Sequence, residues 1–217
     1  MPVLAQLYQQ KTGVKLNISY GSSATLTTQI ENGAPFDLFL SADFVHPEQI
    51  VAANLADATV PTPYARGTLV LWTRNDSGLL PLTLERLTDP RVTKIAIANE
   101  LHAPYGFAAA TALRHLKLYD RLKPRLVVAE NIAQTAQFVE SGNAQLGFIS
   151  LTTASTPHFK QIGAYVIIPT SQYPAIRQCA VILAKSPHKP EAHAFLTWLL
   201  SPTIQENLPK LGLSPAQ

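Results

Sequence analysis

Short apolar runs alternate with stretches of helical spacing along this chain. "DLFLSA", "KIAIAN", "RLVVAE", "AQLGFIS", "AYVIIP" and "CAVILA" each suit a strand and are too short for a helix, and "GTLVLWTR" is a longer run of the same kind. Between them, segments such as "IAQTAQFVES" repeat apolar residues three and four apart. Strands that are apolar on both faces need cover on both faces, and intervening helices supply it. The pattern therefore predicts an α/β fold built on parallel sheets. With 217 residues, 47% of them hydrophobic, the chain has material for a substantial core and one or two domains. None of the runs approaches the roughly 20 apolar residues of a bilayer span.

The first third is the most informative. Val3, Leu4, Leu7 and Tyr8 fall at helical spacing, and Gly13 offers a stop. Val14, Leu16, Ile18 and Tyr20 then alternate, which predicts a strand over 14–20. A helix follows over about 24–32, ended by Gly33 and Pro35, and Asp43 is placed to cap the next one. "PTPYARGTL" and "TSQYPAIRQ" are the best crossing points between two lobes. They assign 1–63 and 176–217 to one lobe and 64–175 to an inserted second lobe.

Several function classes find little support. The net charge is only +3. The basic residues Arg114, Lys117 and Arg121 read as one solvated helix face with a single interleaved Tyr119, so no nucleic-acid partner is expected. Cys179 stands alone in an apolar run and reads as a small buried strand residue. Zinc motifs, a phosphate-binding P-loop and a dinucleotide fingerprint are missing from the sequence, so neither a resident cofactor nor a side-chain metal site is expected. Gly21-Ser22-Ser23-Ala24-Thr25 approximates the G-x-S-x-G elbow of serine hydrolases, with Thr25 in place of the last glycine and His102 as the best candidate base. The incomplete motif leaves a hydrolase using Ser23 as a remote alternative, and the chain is expected not to be an enzyme.

The stretch "YGSSATLTTQIENGAPFDLFLSAD" points elsewhere. Gly21 permits a sharp turn, and Ser22 or Ser23 can cap the following helix. The first amides of a helix lack internal acceptors and sit at the positive end of its dipole, so they attract an anion without Lys or Arg. The same kind of junction recurs at Pro104-Tyr105-Gly106 and at Glu130-Asn131-Ile132. Ligands of α/β proteins bind at such strand ends. A site made only of donors suits a fully deprotonated tetrahedral oxyanion, because a protonated guest would leave a hydrogen unpaired at a cost of about 1–3 kcal/mol.

The motif "GSSATLTTQIENGAPFDLFLSAD", followed in order by "HAPYGFAAATAL", "AENIAQTAQFVESGNAQLGFIS" and "AHAFLTWLLSPTIQ", closely resembles the periplasmic molybdate-binding proteins, the solute receptors of ABC-type molybdate importers. The resemblance implies a type II periplasmic-binding fold, with two α/β lobes joined by two crossing strands around a cleft. It implies molybdate or tungstate as guest, a membrane permease as partner, a monomer and an extracytoplasmic location. By position, Ser23 matches a serine that binds oxyanion oxygen through hydroxyl and amide, while Tyr105 and Ile132 match donors of backbone amides. Ser22 is the motif neighbour and a second-rank candidate. Some members carry a ligand-binding tyrosine where this chain has Ser150, a candidate of lower rank. Another oxyanion such as sulfate, or a small organic ligand, is the alternative within the same fold. The family opens with a signal peptide and a strand whose loop supplies further donors, whereas "MPVLAQLYQQKTG" shows no signal pattern and matches the helix after that strand. The expectation for such a chain is a weakened site and a lower stability than its family.

Overall fold

The computed structural model describes residues 1–216. In chain order the elements are α1 (Pro2–Thr12), α2 (Ser23–Glu31), β1 (Leu38–Ser41), α3 (Val45–Ala52), β2 (Thr62–Gly67), β3 (Leu69–Arg74) and β4 (Ile95–Ala98). Then follow α4 (Pro104–His115), α5 (Tyr119–Leu122), β5 (Leu126–Ala129), α6 (Ile132–Glu140), β6 (Leu146–Ser150), α7 (Leu151–Ala154) and α8 (Pro157–Ile162). The last are β7 (Gly163–Ile167), β8 (Ile176–Ile182), α9 (Lys189–Leu199), α10 (Pro202–Asn207) and β9 (Leu213–Ser214).

These strands form two sheets, one in each lobe of a type II periplasmic-binding fold. The first is ordered β1-β8-β2-β9 and the second β5-β4-β6-β3-β7. The chain passes from the first sheet to the second at Thr68, between β2 and β3, and returns between β7 and β8. The long run "GTLVLWTR" is therefore divided, with Gly67 in one sheet and Leu69 in the other.

Two expectations are corrected. Residues 14–20 form no strand. Alternation selects a face, but a strand also needs a neighbour for its backbone groups, and none of the described residues pairs with this segment. Ile18 and Tyr20 lie 37% and 65% exposed, and only Leu16 packs against the first lobe's core. The sheets are also not wholly parallel. β5, β4, β6 and β7 run one way, β3 runs against them between β6 and β7, and every named pair in the first sheet is antiparallel. Crossing between lobes brings β3 into the second sheet from the opposite side to a β-α-β repeat.

Each lobe has its own core. In the second, Leu69, Leu71, Ile95, Ile97, Leu146 and Phe148 on the sheet meet the alanine-rich face of α4. The small side chains let that helix approach closely. In the first, α1 places Leu4 and Tyr8 against α9, where the rings of Tyr8, Phe195 and Trp198 meet with centroids 5.1–5.7 Å apart. Cys179 is fully buried in β8, as its apolar run implied.

Candidate functional site

α2 begins at Ser23, and its cap is Ser22, whose hydroxyl accepts from the Thr25 amide (3.1 Å) and bonds the Thr25 hydroxyl (2.7 Å). Ser23 is oriented from a different direction. Its Oγ accepts from Ser41 Oγ (3.0 Å), at the end of β1, and from the Ala42 amide (3.4 Å). With both contacts accepted, the Ser23 hydrogen is left to donate to a guest. Ser41 Oγ also lies 3.0 Å from Asp43 Oδ1, and its one hydrogen is divided between the two acceptors, one at a time. Asp43 also caps α3 by accepting from the His46 amide (3.1 Å), and its second oxygen meets His46 Nδ1 at 2.6 Å.

α4 begins at Pro104, where the missing N–H forfeits no helix bond. Gly106 lets its first turn lie against the end of β4. A Cβ at 106 would stand 2.7 Å from both the Ala98 carbonyl carbon and the Asn99 carbonyl oxygen. The Tyr105 side chain is buried and turned away from the helix tip, with Oη accepting from Gln178 Nε2 (3.2 Å). Burial pushes the phenol pKa well up, so it stays protonated. α6 is closed by a reciprocal cap: Asn131 accepts from the Gln134 amide (2.9 Å), and Gln134 Oε1 accepts from the Glu130 amide (2.7 Å). Ile132 is its first residue and packs against the core that contains Tyr105.

The three helix tips meet. The Ala24 amide donates to the His102 carbonyl (3.3 Å), just before α4, and Thr25 Oγ1 donates to Glu130 (3.5 Å), just before α6. Both bonds run from the first lobe to the second. The tips form most of their own caps, yet no hydrogen bond among the described residues uses the amides of Ser23, Tyr105 or Ile132. The tips of α2, α4 and α6 thus lie beside one another and carry these three amides and the Ser23 hydroxyl. Ser150 ends β6, and its hydroxyl accepts from the Thr153 amide (3.2 Å) and bonds Thr153 Oγ1 (3.0 Å), so it is engaged as the cap of α7.

His102 enters through its carbonyl and its side chain is exposed, so it does not act as a base on Ser23. Among the described residues no group of three or more His, Cys, Asp or Glu is placed to hold a metal ion. Arg114 ion-pairs with Glu100 (2.7 Å) and lies 4.2 Å over the Tyr119 ring, but the single helix face expected for Arg114, Lys117 and Arg121 is not formed: α4 ends at His115, Lys117 sits in the turn at φ +58°, and Arg121 belongs to α5. Sequence reasoning missed Ser41 and the contact between Thr25 and Glu130. "FLSAD" does place a buried-strand serine two residues before a capping acid, but nothing in it says which serine it will face.

Two lobes that meet through the tips of α2, α4 and α6 fit a solute receptor of the type II periplasmic-binding class. The chain belongs to the family described as bacterial extracellular solute-binding protein, whose model matches residues 1–214. It is 36% identical over 217 residues to the molybdate-binding protein ModA of Azotobacter vinelandii, covering 98% of this chain and 84% of that protein. It is 34% identical over 209 residues to the Rhodobacter capsulatus protein of the same name, covering 96% and 81%. The solved structure of the Azotobacter vinelandii periplasmic molybdate-binding protein superposes with a TM-score of 0.92 at 34% identity, covering 100% of this chain and 94% of that one. These relatives are binding proteins.

Proposed function

We propose that this chain is an extracytoplasmic receptor that captures molybdate or tungstate between its lobes and delivers it, as a monomer, to the membrane permease of an ABC transporter. Ser23 supplies a hydroxyl and an amide, and Tyr105 and Ile132 supply amides. Ser22 contributes by fixing the tip of α2, and Ser150 by fixing α7. The observation that carries the reading is that, among the described residues, the Ser23, Tyr105 and Ile132 amides make no hydrogen bond although the tips of α2, α4 and α6 are tied together. The similarity to two molybdate-binding proteins over nearly the whole chain supports the choice of guest.

The mechanism is lobe closure. Converging helix dipoles in a site shielded from water hold a dianion without a counter-ion, because each N–H is already aimed and does not reorganise on binding. Fixed amides also set the size of the tetrahedron they fit, which favours molybdate over the smaller sulfate. The closed, loaded form then docks on the permease.

Calorimetric titration with molybdate, tungstate, sulfate and phosphate tests this. Molybdate and tungstate are expected to bind and sulfate and phosphate to bind far more weakly. Tight sulfate binding with none of molybdate overturns the choice of guest.

A further inference from the structure

The Tyr105 ring has a second address. Its backbone belongs to α4 and the second lobe, but its phenol reaches two strands of the first sheet. Oη accepts from Gln178 Nε2 on β8 at 3.2 Å, and the ring end lies over Gly67 on β2. A Cβ at residue 67 would overlap Oη, come within 2.9 Å of Cζ and stand 3.1 Å from Gln178 Nε2. Only a glycine leaves room for the phenol there. Tyr105 is 4% exposed and Gln178 8%, so the contact is sealed from water. It sits where the chain crosses between lobes: Gly67 is the last residue of β2, and Gln178 is near the start of β8. The two crossings are tied beside it by the Leu69 amide, which donates to Tyr173 Oη (3.1 Å).

We infer that Tyr105, Gln178 and Gly67 form the pivot of lobe closure, with the Tyr105 side chain as a positioning group that sets where its own backbone amide stands relative to Ser23. The main chain of Tyr105 moves with the second lobe while its phenol is seated on the first. Any rotation about the crossing strands must turn around that seat or slide the phenol across Gly67. The hydrogen bond from Gln178 favours the seated form, which is the form in which the α2 tip reaches His102 and Glu130. An amide that binds the guest is thus coupled through its own side chain to the hinge.

The binding arm of the test rests on the function proposed above; the conformational arm does not. Spin labels at Val45→Cys on α3 and Val128→Cys on β5 occupy exposed sites on opposite lobes, and the native Cys179 is buried. Electron–electron resonance then reads the separation of the lobes without ligand and with molybdate. Tyr105→Phe and Gln178→Leu are each expected to move the ligand-free distribution toward longer separations. Where molybdate binds, its dissociation should accelerate roughly 2- to 10-fold, the range for one net hydrogen bond, with little change in association. A lone packing role would lower the melting temperature and leave the separation unchanged. Unchanged distances in both variants overturn the pivot. Wild-type protein that binds no molybdate overturns the proposed guest, and the distance measurement still judges the pivot.

Discussion

Ser22 and Ser23 carry the same side chain and have different partners. Ser22 spends its hydroxyl inside its own helix, on Thr25, while Ser23 is held from 18 residues away by Ser41. Substituting each therefore separates capping from binding. Ser23→Ala is expected to weaken molybdate binding by about 1.5–3 kcal/mol, the range for a hydrogen bond to a charged group, with little change in melting temperature. Ser22→Ala should do the reverse, lowering stability by about 0.5–2 kcal/mol while affinity changes less. Calorimetry and thermal unfolding on both variants check the division, and equal effects on both quantities would refute it. Ser41→Ala should weaken binding by a smaller step, roughly 2- to 10-fold, because it removes a donor to Ser23 and no direct contact to the guest. At this scale local chemistry narrowed the candidates to a pair, and only the family resemblance ranked Ser23 above Ser22, because the partner that distinguishes them lies on another strand.

Helices do the binding work in this reading, and their starts were readable. Pro104 and the Asn131–Gln134 capping pair mark the beginnings of α4 and α6 from local chemistry alone. Gly106 is different, since its need arises from contact with β4. Gly106→Ala sets a methyl against the Ala98 and Asn99 backbone, which yields less readily than a side chain. The expected result is a loss of about 1–3 kcal/mol in stability by overpacking, with weaker molybdate binding as the α4 tip shifts away from α2. Denaturant unfolding and titration read the two effects. The segment 14–20 shows the opposite case. Its alternation is as regular as that of any strand in the chain, yet it stays unpaired because a strand is a property of two backbones and periodicity describes one.

For the whole molecule, stability toward acid draws on several carboxylates held below their usual pKa, among them Asp57, Asp76, Glu100 and, furthest shifted, Asp89. The Arg91 side chain, the Arg91 amide and then Arg86 keep the Asp89 carboxyl far below its usual pKa. A lowered folded-state pKa stabilises the protein above the unfolded value, near 4, and that stabilisation is lost as pH falls further. Melting temperature should therefore fall steadily below about pH 4, and Asp89→Asn should flatten that fall. An identical slope in the variant would remove Asp89 from the account. Composition, the alternation of strands and helices, the helix caps and the small residues at strand ends were decided locally, so a reader of the chain alone reaches an α/β binding protein with dipole-lined junctions. Mixed strand direction, the split at Thr68, the pairing of Ser23 with Ser41 and the seating of Tyr105 on Gly67 depend on residues far apart in the chain. Those features were settled by tertiary contact within and between the lobes, because contact, unlike periodicity, is not written at any one position.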